Sequence, residues 1–362
     1  MGRKPWFSGL GSVIQEKTRT QAQFPTHNCY NHGMSVFLSH ESALEFWRQP
    51  GRDHSWHRFS QERRRSKMLS SELPGSRLNA IISETGLSLP LDILLGSSDL
   101  RRPIPLIRQH VFTQVTPEAS FVSIGKGLFV STPEFCFFQM AGQLSLIELI
   151  ELGYELCGSY TLSQNRALSQ SSESVQKTSD DCIYNRLPLT NVKKLSAFVD
   201  KLAGVKGYKQ SARALSYITD NSASPMETKL VMLLSLPYKL GGFGLPMPTM
   251  NHRIVPTKTA RQASTRKFYI CDLFWPHDNL AVEYDSALYH TGTERIASDS
   301  RRRSVLSLLG INVITVTSHQ VQHGGELEQV AKLIAQKTGR RLQHMRNPKS
   351  HTAQLMLRKA LL

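Results

Sequence analysis

Residues 267–290 read KFYICDLFWPHDNLAVEYDSALYH, and this stretch predicts the centre of the fold. Two apolar runs flank the residues at 276–279, Pro-His-Asp-Asn, which are typical of a turn. The stretch therefore predicts a β-hairpin, and the hairpin carries the carboxylates Asp272, Glu283 and Asp285. Because strand side chains alternate between faces, we expect Glu283 and Asp285 to point the same way and Asp272 to share a face with apolar neighbours.

These three acids predict a metal site. A carboxylate on an apolar strand face is costly to bury unless a cation or a hydrogen-bond donor meets it. Carboxylate oxygens are also the ligands that hard divalent ions prefer. We therefore expect Mg²⁺ (or Mn²⁺) as the cofactor.

The order of residues around the acids resembles a nuclease family. Asp272 is followed by Leu-Phe-Trp-Pro, then by Val-Glu-Tyr-Asp and by His290. A segment with Asp299 and Arg302 comes next, and the strand-like run GINVITVT follows at 310–317. This pattern is similar to that of PD-(D/E)XK restriction-endonuclease-like domains, in the branch of the very short patch repair endonucleases. The resemblance covers roughly the last third to two fifths of the chain.

The resemblance implies a fold and a set of roles. The expected fold class is α/β (α+β as a whole), with a mixed sheet flanked by helices. Asp272 and Glu283 would be metal ligands, Asp285 would hold a metal-bound water, and His290 would act as a base or orient the water. Where the family usually has a glycine, a His-His pair and a basic residue on the last strand, this chain has Ser286, Tyr289-His290 and Thr315.

Glu227 has two interpretations. Ser-Pro-Met-Glu at 224–227 predicts a helix start, with Ser224 as the cap, Pro225 in the first turn and Glu227 closing onto the cap amide. The family resemblance instead puts an acidic residue of this helix at the edge of the metal site. The two roles are compatible, and Glu227 is a candidate third metal ligand.

The charge of the chain favours a polyanionic partner. The 362 residues carry a formal net charge of +16, with 44 Lys and Arg against 28 Asp and Glu. We therefore expect DNA as a partner. Candidate nucleic-acid contacts are Arg301, Arg302, Arg303, Arg340 and Arg341. Five scattered cysteines fit reduced thiols in the cytoplasm, and no apolar run approaches the ~20 residues of a membrane span.

Composition divides the chain into five segments. Met34 begins a stretch of globular composition and is a candidate initiator. The segments are 1–33, a disordered or mis-annotated extension; 34–160, an α+β accessory domain; 161–188, a polar linker; 189–338, the nuclease-like domain with its lead-in helices; and 339–362, a basic tail facing a polyanion. The accessory domain resembles regulators of the abortive-infection antitoxin type, and it also suits a protein–protein interaction.

Three functions remain open at this point. The first is metal-dependent endonucleolytic cleavage of DNA, with a role in bacterial defence or repair. The second is a non-catalytic, antitoxin-like DNA-binding or regulatory protein that uses a degenerate nuclease fold. The third is a protein-interaction partner with no nucleic-acid contact.

Overall fold

Two mixed β-sheets flanked by helices organise the computed structural model, which describes residues 35–52, 61–62, 75–162, 182–262, 266–285, 293–342 and 348–362. Residues 34–362 cluster as one unit, and the description below concerns that unit. The predicted α+β class, with a mixed sheet and flanking helices, is confirmed.

The first sheet is built by the amino-terminal part of the chain. Its strand order is β2-β5-β6-β1-β3-β4, in which β1 runs parallel to β6 and antiparallel to β3. The strands are β1 (Val36–Leu38), β2 (Gln61–Glu62), β3 (Leu91–Leu95), β4 (Ile107–Val111), β5 (Phe121–Gly125) and β6 (Leu128–Ser131). β5 and β6 form a hairpin, with Lys126 and Gly127 at positive φ in its turn.

Four helices accompany this sheet in sequence. They are α1 (His40–Arg48), α2 (Gly75–Thr85), α3 (Pro133–Met140) and α4 (Leu146–Leu156). α3 begins after Thr132, whose hydroxyl caps it, and Pro133 fits the first turn. Two short strands, β7 (Tyr160–Leu162) and β8 (Cys182–Tyr184), pair antiparallel after α4.

The second sheet has the order β12-β11-β10-β9. Its strands are β9 (Thr249–Ile254), β10 (Tyr269–Trp275), β11 (Leu280–Asp285) and β12 (Asn312–Thr317). The helices of this part are α5 (Val192–Asp200), α6 (Tyr208–Leu215), α7 (Pro225–Ser235), α8 (Lys258–Gln262), α9 (Thr293–Leu308), α10 (Ser318–Gln322), α11 (Gly324–Lys337) and α12 (Pro348–Leu361). β10 and β11 are antiparallel, whereas β11 and β12 are parallel, so this sheet is mixed.

One hydrophobic cluster contains residues of both sheets. Phe37 of the first sheet and Leu273 of the second belong to it and are fully buried. A smaller cluster lies between the second sheet and α9, where Cys271 and Phe274 pack with Val305. The described residues before and after the predicted linker therefore share a core.

Residues 348–361 of the predicted basic tail form the helix α12. Leu357 and Leu361 of α12 are buried in the main cluster, which ties this helix to the core. Arg358 donates hydrogen bonds to the carbonyls of Val321 (2.8 Å) and Gln322 (2.5 Å), so its guanidinium holds the end of α10. Among the described helices, none combines the length and apolar character that a membrane span needs.

Candidate carboxylate site

The hairpin of β10 and β11 positions the first carboxylate. Leu273 lies opposite Val282, which puts Asp272 next to Glu283 across the two strands. The half-buried Asp272 does not follow the simple alternation that we expected. Cys271 and Phe274 pack in the same small cluster, while Leu273 packs in the main one, so the alternation breaks at Asp272.

The Asp272 carboxylate is held by the backbone of β11. Its Oδ2 accepts a hydrogen bond from the Tyr284 N–H at 2.8 Å. The pKa of Asp272 is raised to about 7, chiefly by burial and also by the nearby Glu227 and Glu283 carboxylates, while the Tyr284 N–H and Arg302 oppose the shift. Negative charge at this position is therefore disfavoured unless a cation approaches.

Glu227 serves as a helix-start residue and also faces this acidic region. The Ser224 hydroxyl accepts from the Glu227 N–H at 3.2 Å, so the predicted cap is confirmed. The other half of the prediction is wrong: the carboxylate accepts from the Ala223 N–H (3.0 Å) and the Ser224 hydroxyl (2.9 Å) rather than from the Ser224 N–H. Burial raises the pKa of Glu227, although these hydrogen bonds oppose the shift.

Asn251 is a residue of this site that sequence reasoning missed. Its side chain donates to Glu227 Oε2 at 2.5 Å and to the Asn221 carbonyl at 2.8 Å. The backbone φ of Asn251 is +47°, inside a strand, and asparagine tolerates this left-handed region better than most residues. An asparagine within an otherwise strand-like run was the only signal that the sequence offered.

Glu283 is paired with Arg302 of α9. The guanidinium Nε donates to Glu283 Oε2 at 3.2 Å, and Nη2 contacts both Glu283 Oε1 and the Ile270 carbonyl. Both side chains are about four-fifths buried, at 20% and 19% exposure. Burial opposes the charge of Arg302, but Glu283 more than offsets it, and the pKa of Arg302 is raised. The predicted DNA contact of Arg302 stays a prediction, with its guanidinium engaged inside the protein.

The donor atoms of the site suit a hard cation. Asp272, Glu227 and Glu283 supply carboxylate oxygens, and burial is the main cause of the raised pKa values of Asp272 and Glu227. Among the described residues, these three do not form a group whose ligand atoms all lie within 4.8 Å of one another. Glu283 would also have to leave Arg302 to bind an ion. Asp272 and Glu227 are therefore the carboxylates that a cation would relieve most.

The remaining predicted residues lie around this centre or outside the described residues. Asp285 is half-buried at the end of β11, opposite Thr317 of β12. Thr315, which stands where the family often has a basic residue, lies opposite Glu283. His290 falls outside the described residues, together with Ser286 and Tyr289. Of the predicted nucleic-acid contacts, Arg301, Arg303, Arg340 and Arg341 are exposed.

Comparison with known proteins adds no family. The chain matches no protein-family model, no curated protein and no solved structure. The nuclease resemblance thus stays a prediction from the sequence.

Proposed function

We propose that the protein is a metal-dependent endonuclease that hydrolyses phosphodiester bonds in DNA. The observation that carries the proposal is the half-buried Asp272 carboxylate, whose pKa is raised to about 7 beside Glu227 and Glu283. Acids with perturbed pKa values that are gathered at one place are typical of functional sites. The net charge of +16 supports a nucleic-acid substrate.

The chain supplies ligands and proton-handling groups for this chemistry. A bound Mg²⁺ or Mn²⁺ would neutralise charge on the scissile phosphate and lower the pKa of a water. Asp272 and Glu227 would hold the ion, and Glu283 would join them after release from Arg302. Asp285 would accept a hydrogen bond from the attacking water, and His290 would take its proton.

The surface arginines would bind the DNA backbone. Arg301 and Arg303 are exposed on α9, the same helix whose Arg302 meets Glu283. Arg340 and Arg341 are exposed beyond α11. Phosphate contacts of this kind hold a duplex without reading its sequence, and they weaken as the salt concentration rises.

A second candidate function has one specific observation in its favour. Glu283, the expected second metal ligand, forms an ion pair with Arg302 instead. A guanidinium held there would replace the metal and leave a non-catalytic DNA-binding or regulatory protein. The two proposals share a DNA partner and differ in whether the DNA is cut.

A cleavage assay separates the two. Supercoiled plasmid and single-stranded DNA are incubated with the full chain in Mg²⁺, in Mn²⁺ or in EDTA. Asp272→Asn removes the central carboxylate, and Asp278→Asn, in the turn of the same hairpin, is the control for loss of one negative charge. Metal-dependent nicking that Asp272→Asn abolishes and Asp278→Asn retains is the expected result.

The other outcomes are equally informative. Salt-sensitive retention of DNA by all three proteins, without nicking, would reject the enzyme and support the regulator. Nicking that survives Asp272→Asn would remove this carboxylate from the chemistry. No DNA retention at low salt would contradict both proposals.

A further inference from the structure

The turn between α10 and α11 brings together two imidazoles and a carboxylate that the proposed nuclease chemistry does not use. One nitrogen each from His319 and His323 and one oxygen of Glu326 all lie within 4.8 Å of one another. In the part of the chain that the structure describes, no other three His, Cys, Asp or Glu side chains meet this condition. The two rings are stacked, with centroids 3.9 Å apart and planes 25° apart.

The protonation of His323 follows from its partner. Its Nδ1 lies 2.8 Å from the carbonyl oxygen of His319. A carbonyl only accepts hydrogen bonds, so Nδ1 carries the hydrogen and, in the neutral ring, Nε2 keeps its lone pair. Histidines that bind metal ions are commonly oriented in this way, with the second ring nitrogen donating to a backbone carbonyl.

His319 and Glu326 have the spacing of two ligands of one ion. His319 Nδ1 lies 3.2 Å from Glu326 Oε1 and 3.3 Å from Oε2. Bonds of ~2.0–2.2 Å at tetrahedral angles put neighbouring zinc ligands about 3.3 Å apart. The separation of these two groups is therefore already that of two zinc ligands.

The backbone that carries the three side chains is anchored. The His323 N–H donates to the His319 carbonyl, and the Leu327 N–H donates to the His323 carbonyl, each at 3.0 Å. Val321 and Leu327 are fully buried, which fixes both helices against the core. Arg358 of α12 donates to the Val321 carbonyl, so its guanidinium is engaged on the backbone of this turn. An anchored backbone lowers the entropy lost when the side chains bind an ion.

We propose that His319, His323 and Glu326 bind one divalent transition-metal ion, with Zn²⁺ as the representative species. Two imidazole nitrogens and one carboxylate oxygen form a donor set that favours Zn²⁺, Co²⁺ or Ni²⁺ over Mg²⁺. Three protein ligands leave a coordination position for water or for a group of a bound molecule. The site is distinct from the carboxylate site in its residues and in the class of ion that it selects.

Titration of the full chain with Zn²⁺ at neutral pH, followed by calorimetry, tests the proposal. The ligand variants are His319→Gln, His323→Gln and Glu326→Gln. Their controls are Glu328→Gln, a carboxylate of the same helix that pairs with Lys332, and His351→Gln, an exposed histidine of α12. All five side chains replaced in these variants are exposed or partly exposed, so we expect every variant to fold, which circular dichroism checks.

We expect one saturable Zn²⁺ site in the parent and in both controls. Each ligand variant should lose at least the ~10–100-fold in affinity that removal of an outer-shell partner typically costs. Co²⁺ absorption gives a second readout, because only a parent-like site yields the spectrum of a low-coordinate ion. No saturable binding in the parent, or equal affinity in parent and ligand variants, would overturn the proposal and leave an ordinary His–Glu surface pair.

Discussion

Replacing Asp272 by asparagine should stabilise the metal-free protein above neutral pH. The structure raises the pKa of this carboxyl from 3.8 to about 7, chiefly by burial. Between these two values the folded state holds a proton that the unfolded state releases, so the parent loses stability as the pH rises through this window. Above pH ~7 the full cost of the buried charge is present.

The size of the effect follows from the shift. Three pKa units correspond to about 4 kcal/mol, which is an upper limit. Asp272 is half-buried rather than fully enclosed, so we expect about 1–3 kcal/mol. Asparagine keeps an oxygen that can accept from the Tyr284 N–H and carries no charge, so the hydrogen bond that holds the site remains.

The assay is urea unfolding of parent and Asp272→Asn at several pH values, in EDTA and then in Mg²⁺. The stability advantage of the variant should widen from about pH 4.5 to about pH 7.5 and then level off. Mg²⁺ at ten times its Kd should stabilise the parent by about 1.4 kcal/mol and leave the variant unchanged. Asp278→Asn, in the turn of the same hairpin, controls for the loss of one charge. A variant less stable than the parent at about pH 8, with parallel pH profiles, would refute the reasoning.

Two further variants test the surroundings of Asp272. Arg302→Met should lower the free energy of unfolding by about 1–3 kcal/mol, because Glu283 loses its cation. Adding Glu283→Gln should restore part of this loss. Purely additive losses in the double-variant cycle would contradict a coupled pair. Asn251→Ala should lower the free energy of unfolding by about 1–3 kcal/mol, through the lost hydrogen bond to Glu227 and the strained φ. Asn251→Gly should lower it by about 1 kcal/mol less, because glycine tolerates positive φ. Equal losses in urea unfolding would show that the positive φ of residue 251 does not contribute.

Local signals in the sequence predicted most of the elements around the site. The turn at 276–279 separates two strands that pair as a hairpin, and Asn279 takes the left-handed conformation there. The helix that starts after Ser224 also follows from residues adjacent in sequence. Such features depend on caps and turns of a few residues, which the sequence displays directly.

Features that depend on distant residues were not predictable in the same way. The break in alternation at Asp272 accompanies a hydrogen bond from the Tyr284 N–H to its carboxylate, a contact across two strands. The pairing of Arg302 with Glu283 requires α9 to lie on the hairpin, which the sequence does not display. From the basic composition, Arg302 was predicted only as a DNA contact. The basic composition after residue 339 likewise predicted a tail facing a polyanion, and the packing of the apolar side chains of α12 on the core was not predicted.

The most direct test of the central claim is the location of a bound ion. Crystals of the full chain soaked in Mn²⁺ and measured by anomalous diffraction should show a peak beside the Asp272 carboxylate, in contact with Glu227 or Glu283, and no such peak in Asp272→Asn. An Asp272 carboxylate with no metal peak, while Glu283 still holds Arg302, would contradict the claim that this carboxylate site works through a divalent cation.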